Sequence, residues 1–234
     1  MLLMRCSLVL FVCSSASVAV AGSLSGKLEL PPPPDRPPVK NKGFLDRVDN
    51  PLAPVRPLAV APNLAVVLEG EDKPQAGGNS VTWELAGDSF ARPVLAVPVG
   101  TEVVIKNTSK SARMIAAAED GKLIPAGLIQ AGSPKSFRPT EAKAYTLGDA
   151  AVPYLKGKLV VVDTKFVASV DDTGKFDIAD IPAGTYKLRV YFFQPATGKD
   201  GWIERPDESV TISAKGKSEI TAKLPAGYPI QKGK

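Results

Sequence analysis

Histidine is absent from the 234-residue chain, and cysteine occurs only at Cys6 and Cys13. Both cysteines lie in the N-terminal stretch MLLMRCSLVLFVCSSASVAVA, whose single arginine, short apolar run and small-residue ending are typical of a secretory signal cut after Ala21. An uncleaved anchor is the alternative, which the shortness of the run disfavours. A mature chain without His and Cys excludes disulfides, thiolate nucleophiles, imidazole bases and metal sites built from those ligands. We therefore expect a periplasmic or secreted protein with no cofactor.

The chain also lacks a strong charge of one sign. Its 29 basic and 24 acidic residues give a formal net charge of +5, and the lysines and arginines are scattered. They form no stripe with interleaved aromatic residues, so nucleic acid is not expected as a partner. The mature chain has no apolar run long enough to span a bilayer.

Proline is concentrated in one segment, residues 31–62, which holds ten of the 22 prolines. Proline fixes φ and removes a backbone donor, so the segment is incompatible with regular helix or sheet. It is predicted to be a polyproline-like spacer, and a disordered linker is the alternative on composition.

The rest of the chain shows short apolar or alternating runs bounded by Gly, Pro, Asn or Asp, with no sustained helical period. This pattern predicts an all-β protein built as an antiparallel sandwich. The predicted strands before residue 165 cover 64–68, 81–85, 94–97, 102–106, 114–117, 135–138, 144–147 and 159–162.

The last third has turns at Asp171-Asp172-Thr173-Gly174 and around Pro182, with Gly174 and Gly184 expected to supply positive φ. Further strands are predicted at 175–178 and 186–192. A final hairpin is expected between 210–214 and 218–224, followed by a frayed tail from residue 225.

The stretch FVASVDDTGKFDIADIPAGTYKLRVYF, residues 166–192, carries a D-x-x-G-x-F turn followed by a P-x-G-x-Y corner. It resembles the carboxypeptidase regulatory-like family of transthyretin-like sandwiches. The resemblance implies that two earlier strands, near 25–30 and 64–70, complete the sandwich. Residues 79–165 would then be inserted in, or lie adjacent to, a domain formed by residues 22–78, which include the proline-rich excursion 31–62, and by residues 166–224.

The middle region resembles a cupredoxin-like Greek-key sandwich, as in secreted bacterial methylamine-utilisation-like proteins. The likeness rests on PVLAVPVGTEVVIKNTSKSARM, residues 93–114, and on the stretch ahead of KLVVVD. The family's first ligand motif is N-x-D-x-x-x-H. Here Asn107 matches its start, whereas Ser109 replaces the aspartate and Arg113 replaces the histidine.

The second ligand loop of the family, C-x-x-H-P-x-M, corresponds to Asp149-Ala150-Ala151-Val152-Pro153-Tyr154-Leu155. It keeps the proline but places Asp149, Val152 and Leu155 at the ligand positions. A blue-copper centre needs two imidazoles and a thiolate, which carboxylate, alkyl and guanidinium groups do not replace. The resemblance therefore implies a domain without copper, in which this loop is a structural hairpin filled by apolar side chains.

Acidic pairs and paired lysines are weaker candidates for function. The groups Glu69/Glu71/Asp72, Glu119/Asp120 and Asp171/Asp172 lie in predicted turns, where solvated turn formers are more common than Ca²⁺ ligands. Lysine pairs, including Lys156/Lys158, would suit an anionic polysaccharide or a membrane surface. Their expected role is to solubilise turns and strand edges.

Aromatic residues offer a candidate surface for a partner. Tyr191 and Phe193 precede a predicted loop, 194–206, and Trp202 lies within it, whereas alternation predicts that Phe192 points into the core. The alternative is that all these rings are core residues or anchors of the loop.

The predicted function is a non-enzymatic binding or scaffold protein of the cell envelope, with an envelope protein or a polysaccharide as partner. The chain has no G-x-S-x-G nucleophile setting, and binding needs no catalytic group. A carbohydrate-binding module and a carboxylate-dependent hydrolase are the alternatives.

Overall fold

The computed structural model describes residues 21–30, 60–70, 79–195, 198–205, 209–214, 216–225 and 230–231. The predicted signal up to residue 20, the proline-rich segment from 31 to 59 and most of the tail lie outside these ranges. The described ranges are all-β, apart from one turn of 3-10 helix at Ala61–Asn63. No helix among the described residues is long and apolar enough to cross a membrane.

The strands, in chain order, are β1 Ala21–Glu29, β2 Leu64–Glu69, β3 Ser80–Ala86, β4 Ser89–Phe90, β5 Val94–Pro98, β6 Glu102–Asn107, β7 Ile115–Ala117, β8 Pro134–Phe137, β9 Ala144–Asp149, β10 Val152–Val162, β11 Val167–Ser169, β12 Lys175–Pro182, β13 Gly184–Gln194, β14 Lys199–Ile203, β15 Ser209–Ile212, β16 Lys217–Lys223 and β17 Ile230–Gln231.

Two sheets combine the first strands of the chain with the last ones. Sheet A has the order β12-β1-β16, and sheet B has the order β11-β2-β13-β14-β17 with β15 also paired to β13. Their facing side chains form one apolar core, and we call this pair of sheets the terminal sandwich. The core includes Leu24, Leu28, Val66, Leu68, Phe176, Leu188, Val190 and Phe192.

The strands from β3 to β10 form two further sheets. Sheet C has the order β4-β3-β6-β8, and sheet D has the order β5-β10-β9-β7. Successive strands cross repeatedly between these sheets, and we call the pair the middle sandwich. Its core includes Trp83, Leu85, Phe90, Val97, Ile105, Leu147, Leu155 and Leu159.

The outer faces of sheets B and D pack against each other through a third apolar cluster. On β10, Leu159 and Val161 point into the middle sandwich, whereas Val160 and Val162 face sheet B. The four sheets therefore stack in the order A, B, D, C. A strand covered on both faces has an unbroken apolar sequence instead of an alternating one, which explains the run LVVV in β10 and LAVVL in β2.

Several strand pairings differ from the prediction of an antiparallel sandwich. The pairs β1/β16, β3/β6 and β5/β10 are parallel. The expected final hairpin is wrong, because β15 pairs with β13 while β16 pairs with β1 in the other sheet. The predicted loop 194–206 contains β14, which pairs with β13.

Turn geometry is also only partly as predicted. Gly174 has a φ of 85°, which a side chain would oppose, but Gly184 is not among the glycines with positive φ. Asp171 Oδ1 accepts hydrogen bonds from the backbone N–H groups of Thr173 and Lys175, each at 2.8 Å, and thereby closes the turn before β12.

Candidate functional site

The positions that correspond to the copper-binding motif lie at one end of the middle sandwich, and the first part of the motif is a hydrogen-bonded turn. Asn107 is fully buried at the end of β6. Its amide Nδ2 donates to the carbonyl oxygens of Ser111 and Ile129, at 2.8 and 2.9 Å. Its Oδ1 accepts from the N–H and the hydroxyl of Ser109. The asparagine thus holds the loop that follows β6 in place.

The remaining ligand positions are occupied by side chains with other contacts. Arg113 forms an ion pair with Asp88. Asp149 is buried, and its two carboxylate oxygens accept hydrogen bonds from Met114 N–H at 3.0 Å and Ala151 N–H at 2.8 Å. Leu155 is fully buried in the apolar core of the middle sandwich. This arrangement offers neither a thiolate nor an imidazole to a metal ion.

The described part of the chain contains no group of three or more His, Cys, Asp or Glu side chains arranged to hold a metal ion. Glu69 is paired with Arg189, with 2.8 Å between Oε1 and Nη1. Glu71 and Asp72 lie outside the described residues. The backbone N–H of Lys175 and the Thr173 groups that bond to Asp171 lower the pKa of this exposed carboxyl below its ordinary value. These acidic residues thus serve turns and ion pairs.

The structure places the candidate partner-binding aromatics at an internal contact. Tyr191 and Phe193 are 4% and 2% exposed, and both belong to the cluster between sheets B and D. They are therefore unavailable as an exposed surface, because sheet D covers the outer face of β13. Trp202 is half-buried beside them, and the guanidinium carbon of Arg189 lies 4.2 Å from its ring centroid.

A polar network crosses the same contact between the sandwiches. Lys158 of β10 is 7% exposed, and its Nζ lies 2.7 Å from Asp200 Oδ2 and 3.6 Å from Glu119 Oε1. It also donates to Thr146 Oγ1 at 2.9 Å. Tyr191 donates its hydroxyl proton to the same Asp200 oxygen at 2.7 Å. The expectation that the Lys156/Lys158 pair is solvated is thus wrong for Lys158.

Burial and hydrogen bonding set the protonation of this network. Burial, followed by the hydrogen bond to Asp200, raises the pKa of Tyr191, so the phenol remains a donor. Partial burial tends to raise the pKa of Glu119, but bonds from Thr146 and the charge of Lys158 outweigh it and hold that pKa below the ordinary value. These shifts favour the neutral phenol of Tyr191 and the carboxylate of Glu119.

The Lys158 network was not predicted, although the sequence carries a signal for it. Lys158 is in phase with Val160 and Val162, so all three side chains lie on the face of β10 that meets sheet B. A lysine in phase with buried valines needs a partner, because an unpaired buried charge is costly. The partner, Asp200, is remote in sequence and lies on β14, a strand within the predicted loop 194–206.

A groove of about 410 Å³ is lined by residues of both sheet B and sheet D. Its polar rim includes the ion pair Glu69–Arg189 together with the exposed side chains of Lys143 and Asp163. Its apolar lining includes Trp202, Val160 and Val162. The groove thus combines an aromatic ring with charged side chains of both signs.

No family model and no curated protein sequence matches the chain. Part of the chain is similar to solved structures of copper proteins. A reduced mutant of amicyanin is 19% identical over 42% of this chain and 98% of its own, with a TM-score of 0.33. A purple cupredoxin from Nitrosopumilus maritimus is 16% identical over 35% of this chain and 98% of its own, with a TM-score of 0.32. Likeness at this level assigns the chain to no family.

Proposed function

We propose that the protein is a non-enzymatic binding or scaffold protein of the cell envelope, periplasmic or secreted, whose cupredoxin-like domain carries no copper. The observation that supports it most is the chemistry at Arg113, Asp149 and Leu155. Arg113 forms an ion pair, Asp149 accepts two backbone hydrogen bonds, and Leu155 packs in the apolar core. A copper protein would need metal ligands at these positions.

The proposed domain organisation is an insertion. The cupredoxin-like domain occupies residues 79–165 within a transthyretin-like sandwich. Support comes from the pairing of β1 with β12 and of β2 with β13, which joins strands on either side of the middle sandwich in sequence. A binding role fits two sandwiches that share a packed contact, since rigid elements position a binding surface well.

Copper loading tests the proposal. Purified mature protein is incubated with one equivalent of Cu²⁺, dialysed, and analysed for bound metal and visible absorption. We expect no stoichiometric copper and no charge-transfer band, because the chain offers no thiolate. One tightly held copper per chain would overturn the proposal.

A carbohydrate-binding function is the second candidate, and the groove beside Trp202 favours it. A glycan array compares the wild type with Trp202→Ala, and Tyr154→Ala serves as an exposed aromatic control away from the groove. Binding that disappears only in Trp202→Ala would support this candidate, whereas equal binding by all three proteins would remove it. Turnover of a polysaccharide by the wild type would instead favour the hydrolase alternative.

A further inference from the structure

The large hydrophobic side chains that are exposed in the described part of the chain all lie at one end of the middle sandwich. Met114 is 54% exposed, Leu128 is 55% exposed and Tyr154 is 67% exposed. Apolar side chains that gather at one place in solvent commonly mark a surface that meets another phase or molecule.

Backbone pairing places two of these residues next to each other. Arg113 and Ile129 form an antiparallel bridge with reciprocal hydrogen bonds, which places Met114 opposite Leu128. Tyr154 donates its hydroxyl proton to Asp88 at 3.2 Å, and Asp88 is paired with Arg113. Tyr154 is thus linked through Asp88 to Arg113, the residue that precedes Met114.

This end is opposite to the one at which the chain enters and leaves the middle sandwich. The chain enters the middle sandwich at Ser80 and leaves it at Val162, and both residues lie beside the turn that joins β5 to β6. The hairpin between β9 and β10 and the loop after β6 lie at the opposite end of the same strands. We call this opposite end the tip, defined as Asp88 with residues 108–114, 125–133 and 149–156.

The charges of the tip are mainly positive. Lys110 and Lys156 are exposed, and Lys135 at the start of β8 reaches the tip by donating to the carbonyl of Gly127 at 2.7 Å. The two carboxylates of the tip are already engaged, since Asp88 pairs with Arg113 and Asp149 accepts backbone hydrogen bonds. The tip also exposes small apolar residues, namely Pro125, Ala126, Ala131, Ala150, Ala151 and Pro153.

We propose that the tip binds an anionic lipid surface, with Met114, Leu128 and Tyr154 inserting among the headgroups. Apolar side chains that enter the interface while lysines contact anionic headgroups form a standard mode of peripheral binding. Tyrosine suits the interfacial layer because its ring is apolar and its hydroxyl is polar. Protruding side chains on separate loops need no shape complementarity in a lipid surface, which favours lipid over an acidic protein partner. This inference is independent of the copper and glycan tests.

Vesicle sedimentation tests the inference on the full mature chain. The vesicles contain phosphatidylcholine alone or with about 30% phosphatidylglycerol, an anionic lipid. We expect the wild type to sediment with the anionic vesicles only, and less so as salt screens the lysines. A variant carrying Met114→Ser, Leu128→Ser and Tyr154→Ser should lose binding about tenfold or more, since these groups supply the inserted apolar area.

Lysine variants distinguish binding through the tip from a general attraction between a basic protein and anionic vesicles. The double variant Lys110→Ala with Lys156→Ala should bind anionic vesicles more weakly. The control, Lys122→Ala with Lys217→Ala, removes the same charge from exposed sites outside the tip, and its vesicle binding should be unchanged. Circular dichroism checks that each variant is folded. Failure of the wild type to bind anionic vesicles, or equal binding by both lysine variants, would overturn the inference. Vesicle binding that persists in the triple serine variant would also overturn it. If the tip binds an acidic protein but not vesicles, the partner is a protein instead.

Discussion

Lys158 shows at the scale of one residue how the two sandwiches are joined. Its ammonium group lies between Asp200 of sheet B and Glu119, which follows β7 of sheet D. The carboxylates of Asp200 and Glu119 are 30% and 27% exposed. Solvent therefore screens their attraction to Lys158 only partly, unlike that of an ion pair at a fully exposed surface. We expect the cation to stabilise the contact, because its loss would leave two carboxylates close to the same apolar cluster.

Substitution of Lys158 by methionine tests this role. Lys158→Met keeps an unbranched side chain of similar bulk, one atom shorter, but removes the cation, and the free energy of unfolding should fall by about 1–3 kcal/mol. Lys156→Met is the matched control, because Lys156 lies on the same strand and is exposed. Urea denaturation of the two variants measures the difference, and equal stability would show that the ion pair contributes nothing.

Glu119 should make stability depend on pH in the acidic range. Its folded-state pKa lies below the ordinary value of 4.5, because Thr146 and Lys158 favour the carboxylate. The stabilisation is therefore present above pH 4.5 and is lost as the pH falls through the lower folded-state pKa. Glu119→Gln should flatten the stability profile in that window, whereas Glu219→Gln, at an exposed site, should retain the slope. A variant profile that superimposes on that of the wild type would contradict this assignment.

At the scale of the strand, β10 needs a glycine where it crosses the aromatic core. Trp83 and Phe90 stack with ring centroids 4.2 Å apart. A Cβ on Gly157 would lie 2.6 Å from Phe90 Cδ2 and 2.8 Å from Trp83 Cζ2. The neighbouring rings would have to move to admit a methyl group.

Alanine substitution measures the cost of this close approach. We expect Gly157→Ala to lower the free energy of unfolding by about 1–3 kcal/mol through overpacking. Gly121→Ala is the control, because nothing lies within 4 Å of its added Cβ, and its effect should stay within about 0.5 kcal/mol. Equal denaturation midpoints for the two variants would show that the rings yield without cost.

Local pattern predicted the position of most strands but not their partners. The apolar runs in β2, β5 and β6 mark strands within one or two residues of their observed bounds. Parallel pairing, as between β3 and β6, depends on contacts between segments remote in sequence, which no local pattern carries. Strand β14 was missed because its sequence, KDGWI, begins with two charges and a glycine and does not alternate clearly.

At the scale of the whole molecule, the shared contact between sheets B and D decides which residues are available. Composition alone shows that histidine is absent and that cysteine occurs only at Cys6 and Cys13, and this conclusion needs no knowledge of packing. The burial of Tyr191 and Phe193 cannot be predicted from the local sequence. One face of β13 packs toward sheet A, and the other face, which carries these two rings, is covered only by the middle sandwich. Exposure at the tip likewise becomes visible only when the sheets are assembled.

The central claim is that the middle sandwich is stabilised by its own packing and hydrogen bonds, without copper. Scanning calorimetry of the chain without its first 21 residues, with and without one equivalent of Cu²⁺, tests it most directly, because a ligand that binds the folded state raises Tm. We predict a Tm that does not rise when Cu²⁺ is added. A rise of several degrees, with one copper bound per chain, would contradict the account.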